Sequence, residues 1–216
     1  MRTRIKICGL TREEDVRAAS RLDIEFAGFV VFPPSKRYIA PETVRQLATI
    51  LSSEAPRIRP VLVTVDLDFE GLMHLHEVTG AEWLQLHGAE SPALVDKLRA
   101  EGLKIIKAVR VGPSGIAPQW DAYAPDFFLC DTFDPRLAGG TGERWHEEWL
   151  PPAFPLNRTL IAGGLTPENI VPTLARLRPF GIDVSSGVER TAGIKDPEKM
   201  SRLVAAVRGF DGNNEH

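Results

Sequence analysis

Two turns in the last third of the chain are rich in residues that let a backbone approach a ligand. Ile161-Ala162-Gly163-Gly164-Leu165 and Gly181-Ile182-Asp183-Val184-Ser185-Ser186-Gly187-Val188-Glu189 each run a short apolar stretch into glycine and serine. Glycine admits close contact, and N–H groups left unpaired at a helix start favour an anion. Two such turns on consecutive strands near the chain's end are where a (β/α)8 barrel binds phosphate. The chemistry they suggest is that of an enzyme handling a phosphorylated small molecule. Glycine could also serve turn geometry alone, but the pair of turns makes the phosphate reading the stronger one.

The elements that must position these turns follow from hydrophobic periodicity. Apolar runs recur at 4–8, 26–31, 60–65, 82–86, 103–109, 126–130, 158–162 and 181–184. Helical spacing lies between most of them: Val44, Leu47, Ala48 and Leu51 follow i, i+3, i+4, i+7, as do Met200, Leu203, Val204 and Val207. Thr11 with Glu14 has capping-box spacing, and Ser91-Pro92, Thr166-Pro167 and Asp196-Pro197 each pair an N-cap with a proline at the first helical position. The segment 112–125, with three prolines, predicts a fifth helix of a turn or two, and Pro172 predicts a kink or a late start in the seventh. Eight continuous apolar strands alternating with helices imply a parallel sheet covered on both faces. A doubly wound open sheet is the rival, but no Gly-x-Gly-x-x-Gly turn follows the first strand, so closure into a TIM barrel is expected. The expected organisation is a single α/β domain over 1–210, with a flexible tail at 211–216.

In such a barrel the site lies at the C-terminal ends of the strands. Those positions hold Cys8, the Ser35-Lys36-Arg37 loop, Asp66, His87, Arg110, Asp131, Gly163-Gly164 and Ser185-Ser186-Gly187. A proton-transfer pair, a cation or two and a phosphate cradle would face one mouth.

The stretches Lys6-Ile7-Cys8-Gly9-Leu10, Gly28 through Tyr38, Gln85-Leu86-His87-Gly88, Asp131-Thr132 with Gly139-Gly140-Thr141-Gly142, Ala162 through Asn169, and Asp183 through Glu189 together resemble the phosphoribosylanthranilate isomerases of tryptophan biosynthesis. The motifs occur in order from residue 5 to about 197. The resemblance implies an Amadori rearrangement of an N-(5-phosphoribosyl)anthranilate, without a metal or redox cofactor. It makes Cys8 the general base, a role that needs nearby positive charge or N–H groups to hold a thiolate. It makes Asp131 the general acid, and the apolar run Phe127-Phe128-Leu129 predicts surroundings that keep its proton. Cys130 should alternate away toward the helices. Arg37 is expected to meet the anthranilate carboxylate with its guanidinium fork. The phosphate would be held by N–H groups of Gly163, Gly164, Ser186 and Gly187 with help from the Ser185 or Ser186 hydroxyl. Phe32 and Tyr38 are either ring-packing or core residues. His87 matches a motif position whose role stays open, as does that of Arg110. Departures from the family pattern lie at Glu143 to Trp149, at Asp66 and at Ala192.

Composition narrows the alternatives. The chain has 216 residues, 43% of them hydrophobic, a net charge of −3 and two cysteines. That balance excludes a basic nucleic-acid surface and a disulfide scaffold. No apolar run reaches the roughly 20 residues of a membrane span, nor the apolar stretch of a secretion signal at the start, so a cytoplasmic enzyme is expected, as monomer or homodimer. A sugar isomerase of histidine biosynthesis is the nearest alternative, but such enzymes carry an aspartate where Cys8 stands. A non-catalytic phosphosugar-binding barrel would have no need of Cys8 with Asp131.

Overall fold

The computed structural model describes residues 2–112, 115–116, 119–132 and 149–213. Its strands are β1 (Arg4–Cys8), β2 (Phe26–Val30), β3 (Arg59–Thr64), β4 (Trp83–Leu86), β5 (Lys104–Gly112), β6 (Gly115–Ile116), β7 (Phe127–Thr132), β8 (Thr159–Ala162) and β9 (Gly181–Val184), followed by a small hairpin of β10 (Glu189–Thr191) and β11 (Ile194–Lys195). Neighbours pair in the order β4-β3-β2-β1-β9-β8-β7-β5, and a β4–β5 pairing closes the ring. Only β6 departs, folding back antiparallel onto β5. The result is the closed eight-stranded parallel barrel expected of a TIM fold.

Helices α1 (Glu13–Ser20), α2 (Pro41–Glu54), α3 (Phe69–Thr79), α4 (Pro92–Ala100), α5 (Ile170–Leu177) and α6 (Pro197–Asn213) cover the outside. The periodic quartets face inward as spaced: Val44, Leu47, Ala48 and Leu51 are buried in α2, and Met200, Leu203, Val204 and Val207 in α6. Burying each Val, Leu or Met side chain among them contributes roughly 1.5–3 kcal/mol, which outweighs the weak intrinsic propensity of short helices.

The period of two divides each strand between two cores. Ile5, Ile7, Ala27, Phe29, Phe128 and Cys130 join the large layer beneath the helices. Cys130 thus points away from the mouth as expected. Phe26, Val61, Ile106, Leu129 and Leu160 fill the interior with Trp83, Phe127 and Phe180. Trp83 stacks on Phe127 at 5.4 Å and Phe127 on Phe180 at 4.5 Å, an aromatic plug at the strands' N-terminal end. The floor is therefore closed, and polar groups gather at the other end.

Helix starts at Ser91 and Asp196 match their caps: Ser91 Oγ accepts from Leu94 N–H, and Asp196 Oδ1 from the N–H groups of Glu198 and Lys199. Two expectations fail. The Thr11 hydroxyl donates to Gly193 O rather than capping α1, because the β10–β11 hairpin packs over that turn. Thr166-Pro167 precedes a turn, and α5 begins only at Ile170, so Pro172 sits in its first turn, where a missing N–H is tolerated. The late start is held by Asn169, whose side chain accepts from Thr166 N–H and donates to Gly164 O. The fifth helix reduces to a 3-10 turn at Trp120–Ala122. The expected flexible tail at 211–216 is also too long: α6 continues to Asn213, and buried Asp211 accepts from the N–H and hydroxyl of Thr3. Gly139-Gly140-Thr141-Gly142 and the altered stretch 143–148 lie outside the described residues.

Candidate active site

A cavity of about 580 Å³ opens at the strands' C-terminal ends. It is bordered by Cys8, Arg37, His87, Asp131, Gly163, Gly164, Ser185, Ser186 and Gly187, so these residues from distant parts of the sequence share one space. The strand order fixes their arrangement around the rim. Asp131 is on β7 and Cys8 on β1, and between them lie β8 and β9 with the two glycine-bearing turns. A ligand anchored at those turns has Cys8 on one flank and Asp131 on the other.

Gly163 and Gly164 take positive φ values of 94° and 61°, open to glycine with little strain. At Gly187 close approach decides: an added Cβ would lie 1.8 Å from Leu165 O, so the turn after β9 rests directly on the turn after β8. Ser186–Val188 form a short 3-10 helix whose first N–H groups have no partner within it. Ser185 Oγ is buried and, among the described residues, has no hydrogen-bond partner. Two adjoining turns with donors available suit an anion.

Cys8 is only 7% exposed. Burial pushes its thiol above the ordinary value, Lys6 and Lys195 pull it down, and the Asp183 carboxylate adds to the rise. Lys6 is the cross-strand partner of Asp183 and donates to its Oδ1 at 2.9 Å. The sulfur therefore sits in a closed group of charges.

Asp131 differs from its expectation. Its side chain is 38% exposed rather than sealed in apolar surroundings, because the phenylalanines and Leu129 that precede it pack lower in the interior or beneath the helices. His87 Nε2 lies 3.4 Å from Asp131 Oδ2. The other ring nitrogen, Nδ1, is 2.8 Å from Gln85 Nε2. The imidazole thus links the Gln85 amide to the Asp131 carboxylate.

Arg37 borders the cavity but is already engaged. Its Nε and Nη2 donate to the two carboxylate oxygens of Glu189 at 2.8 and 2.7 Å. Lys195 Nζ donates to the same carboxylate at 2.8 Å and to Ser185 O at 3.2 Å. Burial opposes the charge on Glu189, yet hydrogen bonds from Arg37 and Lys195 outweigh it and hold the carboxyl below its ordinary value. Burial lowers Lys195 despite that partner.

Other expected members of the ring separate. Arg110 and Phe32 border the cavity, whereas Tyr38 is exposed. Asp66 turns aside: its Oδ1 accepts from Ala89 N–H, and it lines a side lobe of about 380 Å³ rather than the main space. Lys6, Gln85, Glu189 and Lys195 received no role from the sequence. The first two had a signal, since each stands two residues before a candidate, on the same strand face.

Comparison with known proteins gives a consistent result. The family described as N-(5'phosphoribosyl)anthranilate (PRA) isomerase matches residues 5–206. A relative from Geobacter sp. (strain M21), named N-(5'-phosphoribosyl)anthranilate isomerase, is 38% identical over 207 residues, covering 95% of this chain and 98% of its own. The crystal structure of a phosphoribosyl anthranilate isomerase from Thermus thermophilus superposes with a TM-score of 0.82 at 35% identity, covering 96% of this chain and all of the other. A further isomerase structure, in complex with reduced 1-(o-carboxyphenylamino)-1-deoxyribulose 5-phosphate, has a TM-score of 0.74 at 30% identity, covering 96% of this chain and 99% of its own.

Proposed function

The chain belongs to the N-(5'-phosphoribosyl)anthranilate isomerase family, and on that premise we propose that it converts N-(5-phosphoribosyl)anthranilate to 1-(2-carboxyphenylamino)-1-deoxyribulose 5-phosphate, with Cys8 as general base and Asp131 as general acid. The observation that carries the reading is the order around the rim, acid strand, two phosphate turns, base strand, about one cavity.

In this mechanism the substrate phosphate sits against the N–H groups of Gly163, Gly164, Ser186 and Gly187, with the Ser185 and Ser186 hydroxyls beside it. Asp131 gives a proton to the furanose oxygen as the bond from that oxygen to C1 breaks, and the amine lone pair forms the C1–N double bond of a Schiff base. The Cys8 thiolate then takes the proton from C2. The C–H electron pair becomes the C1–C2 double bond, and the C–N π pair returns to nitrogen. The resulting enolamine gains a proton at C1 and loses one from the C2 hydroxyl, giving the amino ketose. Proton transfers alone complete the isomerisation, and substrate and product have the same atoms. Arg37 would meet the anthranilate carboxylate through Nη1, since its other edge is held by Glu189. No helix among the described residues is long and apolar enough to cross a membrane, which suits a cytoplasmic enzyme of tryptophan biosynthesis acting as monomer or homodimer.

The test is identification of the product. Freshly generated phosphoribosylanthranilate incubated with the protein should give the 1-amino-2-ketose, while the aminoaldose of histidine biosynthesis supplied in parallel should be consumed far more slowly. A folded protein that turns over only the second substrate would refute the reading.

A further inference from the structure

Lys6 is an ammonium with no exposed surface, placed inside the barrel one register step below the sulfur. Burying a charge is expensive, and a buried ion pair often stabilises no better than apolar side chains of similar size. Lys6 and Asp183 are already joined by the β1–β9 ladder, so bracing the barrel does not require their charges. Lys6 also does not border the cavity, so a direct contact with substrate is not its use.

Gly28 shows where its charge is aimed. Gly28 is the register partner of Cys8 on β2. A Cβ built there would lie 2.8 Å from Cys8 Sγ and 2.9 Å from Lys6 Nζ, so sulfur and ammonium converge on the space that this glycine leaves open. Lys6 Nζ is at the same time 2.9 Å from Asp183 Oδ1. One buried cation thus serves two acidic groups, a carboxylate and a thiol. We propose that Lys6 and Asp183 are positioning residues for the base, the Lys6 ammonium being divided between the Asp183 carboxylate and the Cys8 sulfur so that the pair sets how readily the sulfur is held as thiolate.

The inference rests on Cys8 being the base of the proposed reaction, and deepens that reading. Among the described residues four charged groups face the sulfur: Lys6 on its own strand, Asp183 on β9, Lys195 on β11, and Arg37 in the loop after β2. Arg37 and Lys195 are both tied to Glu189. Among the described residues Lys6 has no such outside commitment; its carboxylate partner is Asp183 itself, which competes with the sulfur for it. Removing Lys6 should therefore make the thiolate harder to form, and removing the charge on Asp183 should make it easier. A pair that only braced the barrel would give no such opposition.

The experiment is the pH profile of Cys8 alkylation by iodoacetamide in the whole protein, with Cys130, buried beneath the helices, replaced by alanine throughout. Thiolate absorbance in the ultraviolet is read on the same samples. Lys6→Met should raise the alkylation midpoint by about one pH unit or more, and Asp183→Asn should lower it by a similar amount. Steady-state kinetics of Lys6→Met should show a fall in kcat with KM little changed. Shifts in the same direction, or none, overturn the proposal. If Lys6→Met does not fold, Asp183→Asn decides alone: a lower midpoint supports the division of the ammonium, and an unchanged or higher one refutes it. Opposed shifts combined with full turnover by Cys8→Ser would support the division of the ammonium between carboxylate and sulfur but remove Cys8 as the base, and with it the positioning role of the pair.

Discussion

The two flanks of the cavity place the proposed base and the proposed acid in contrasting surroundings. On the β1 flank Cys8 is 7% exposed, with Lys6 and Asp183 below it and Lys195 nearby. On the β7 flank the Asp131 side chain is 38% exposed, with the partly exposed His87 3.4 Å away and Arg110 its register partner on β5. A buried base is governed by a few fixed charges, because low polarity magnifies each of them and water is not there to screen them. A group at the mouth faces water, which screens the charges around it. Apart from the proposed base and acid themselves, substitutions on the sealed flank are therefore expected to matter most.

The strongest way to break the contrast is at those two groups. Cys8→Ser and Asp131→Asn should each lower turnover by roughly 10²–10⁴-fold, the usual contribution of a positioned acid or base. Binding of inorganic phosphate, measured by calorimetry, should change little in either. Turnover near wild type in one of them would strike that flank from the mechanism.

Changing pH probes the sealed flank next. Since burial raises the Cys8 thiol above its ordinary value, the base is mostly protonated near neutrality. Here kcat/KM should climb with pH, by about tenfold per unit below the thiol's pKa, until the thiolate predominates. A rate independent of pH from neutrality upward would show that the sulfur's proton is not the one that matters.

At the open flank a smaller effect is expected. His87→Asn removes the imidazole that faces Asp131 Oδ2, but solvent can still return a proton to an exposed carboxylate, so kcat should fall about tenfold rather than by the full range for a missing acid. A loss in His87→Asn equal to that in Asp131→Asn would make the imidazole an obligatory part of the acid and erase the contrast.

The least effect on turnover is expected from the Glu189 cluster, which shows instead in stability. Glu189 is held below its ordinary value in the folded chain, so its charge stabilises the fold above the unfolded value near 4.5, and that contribution is lost as pH falls through the folded value. Glu189→Gln should remove this part of the acid transition in a series of thermal melts, and should destabilise the protein at neutral pH because Arg37 and Lys195 lose a shared carboxylate. An acid transition unchanged by Glu189→Gln would contradict the assignment.

Much of this arrangement was legible in the sequence, for reasons that particular residues make plain. The inward quartets of α2 and α6 were readable because a period of 3.6 admits one buried face, and the strands because runs covered on both sides have no polar alternation to disguise them. Strand ends then gave the rim, including Cys8, His87, Asp131 and both turns. Contacts between elements far apart in the chain were not readable. The fork of Arg37 on Glu189 spans 152 positions, and Thr11 is drawn from its capping role by Gly193, 182 positions away. The exposure of Asp131 depends on how the interior layers stack, which a local apolar run does not report. Lys6 and Gln85 were within reach, since strand parity puts them on the faces of Cys8 and His87, but a charged residue inside a strand draws attention only once its partner is known.

The measurement that bears most directly on the account is the decay of fluorescence of freshly generated phosphoribosylanthranilate with wild-type protein and with Cys8→Ala, both checked for folding by circular dichroism. Rapid decay is expected with the wild type and, with Cys8→Ala, decay close to the rate without enzyme. Equal decay with both proteins would contradict Cys8 as the base, and no decay with folded wild type would contradict the substrate itself.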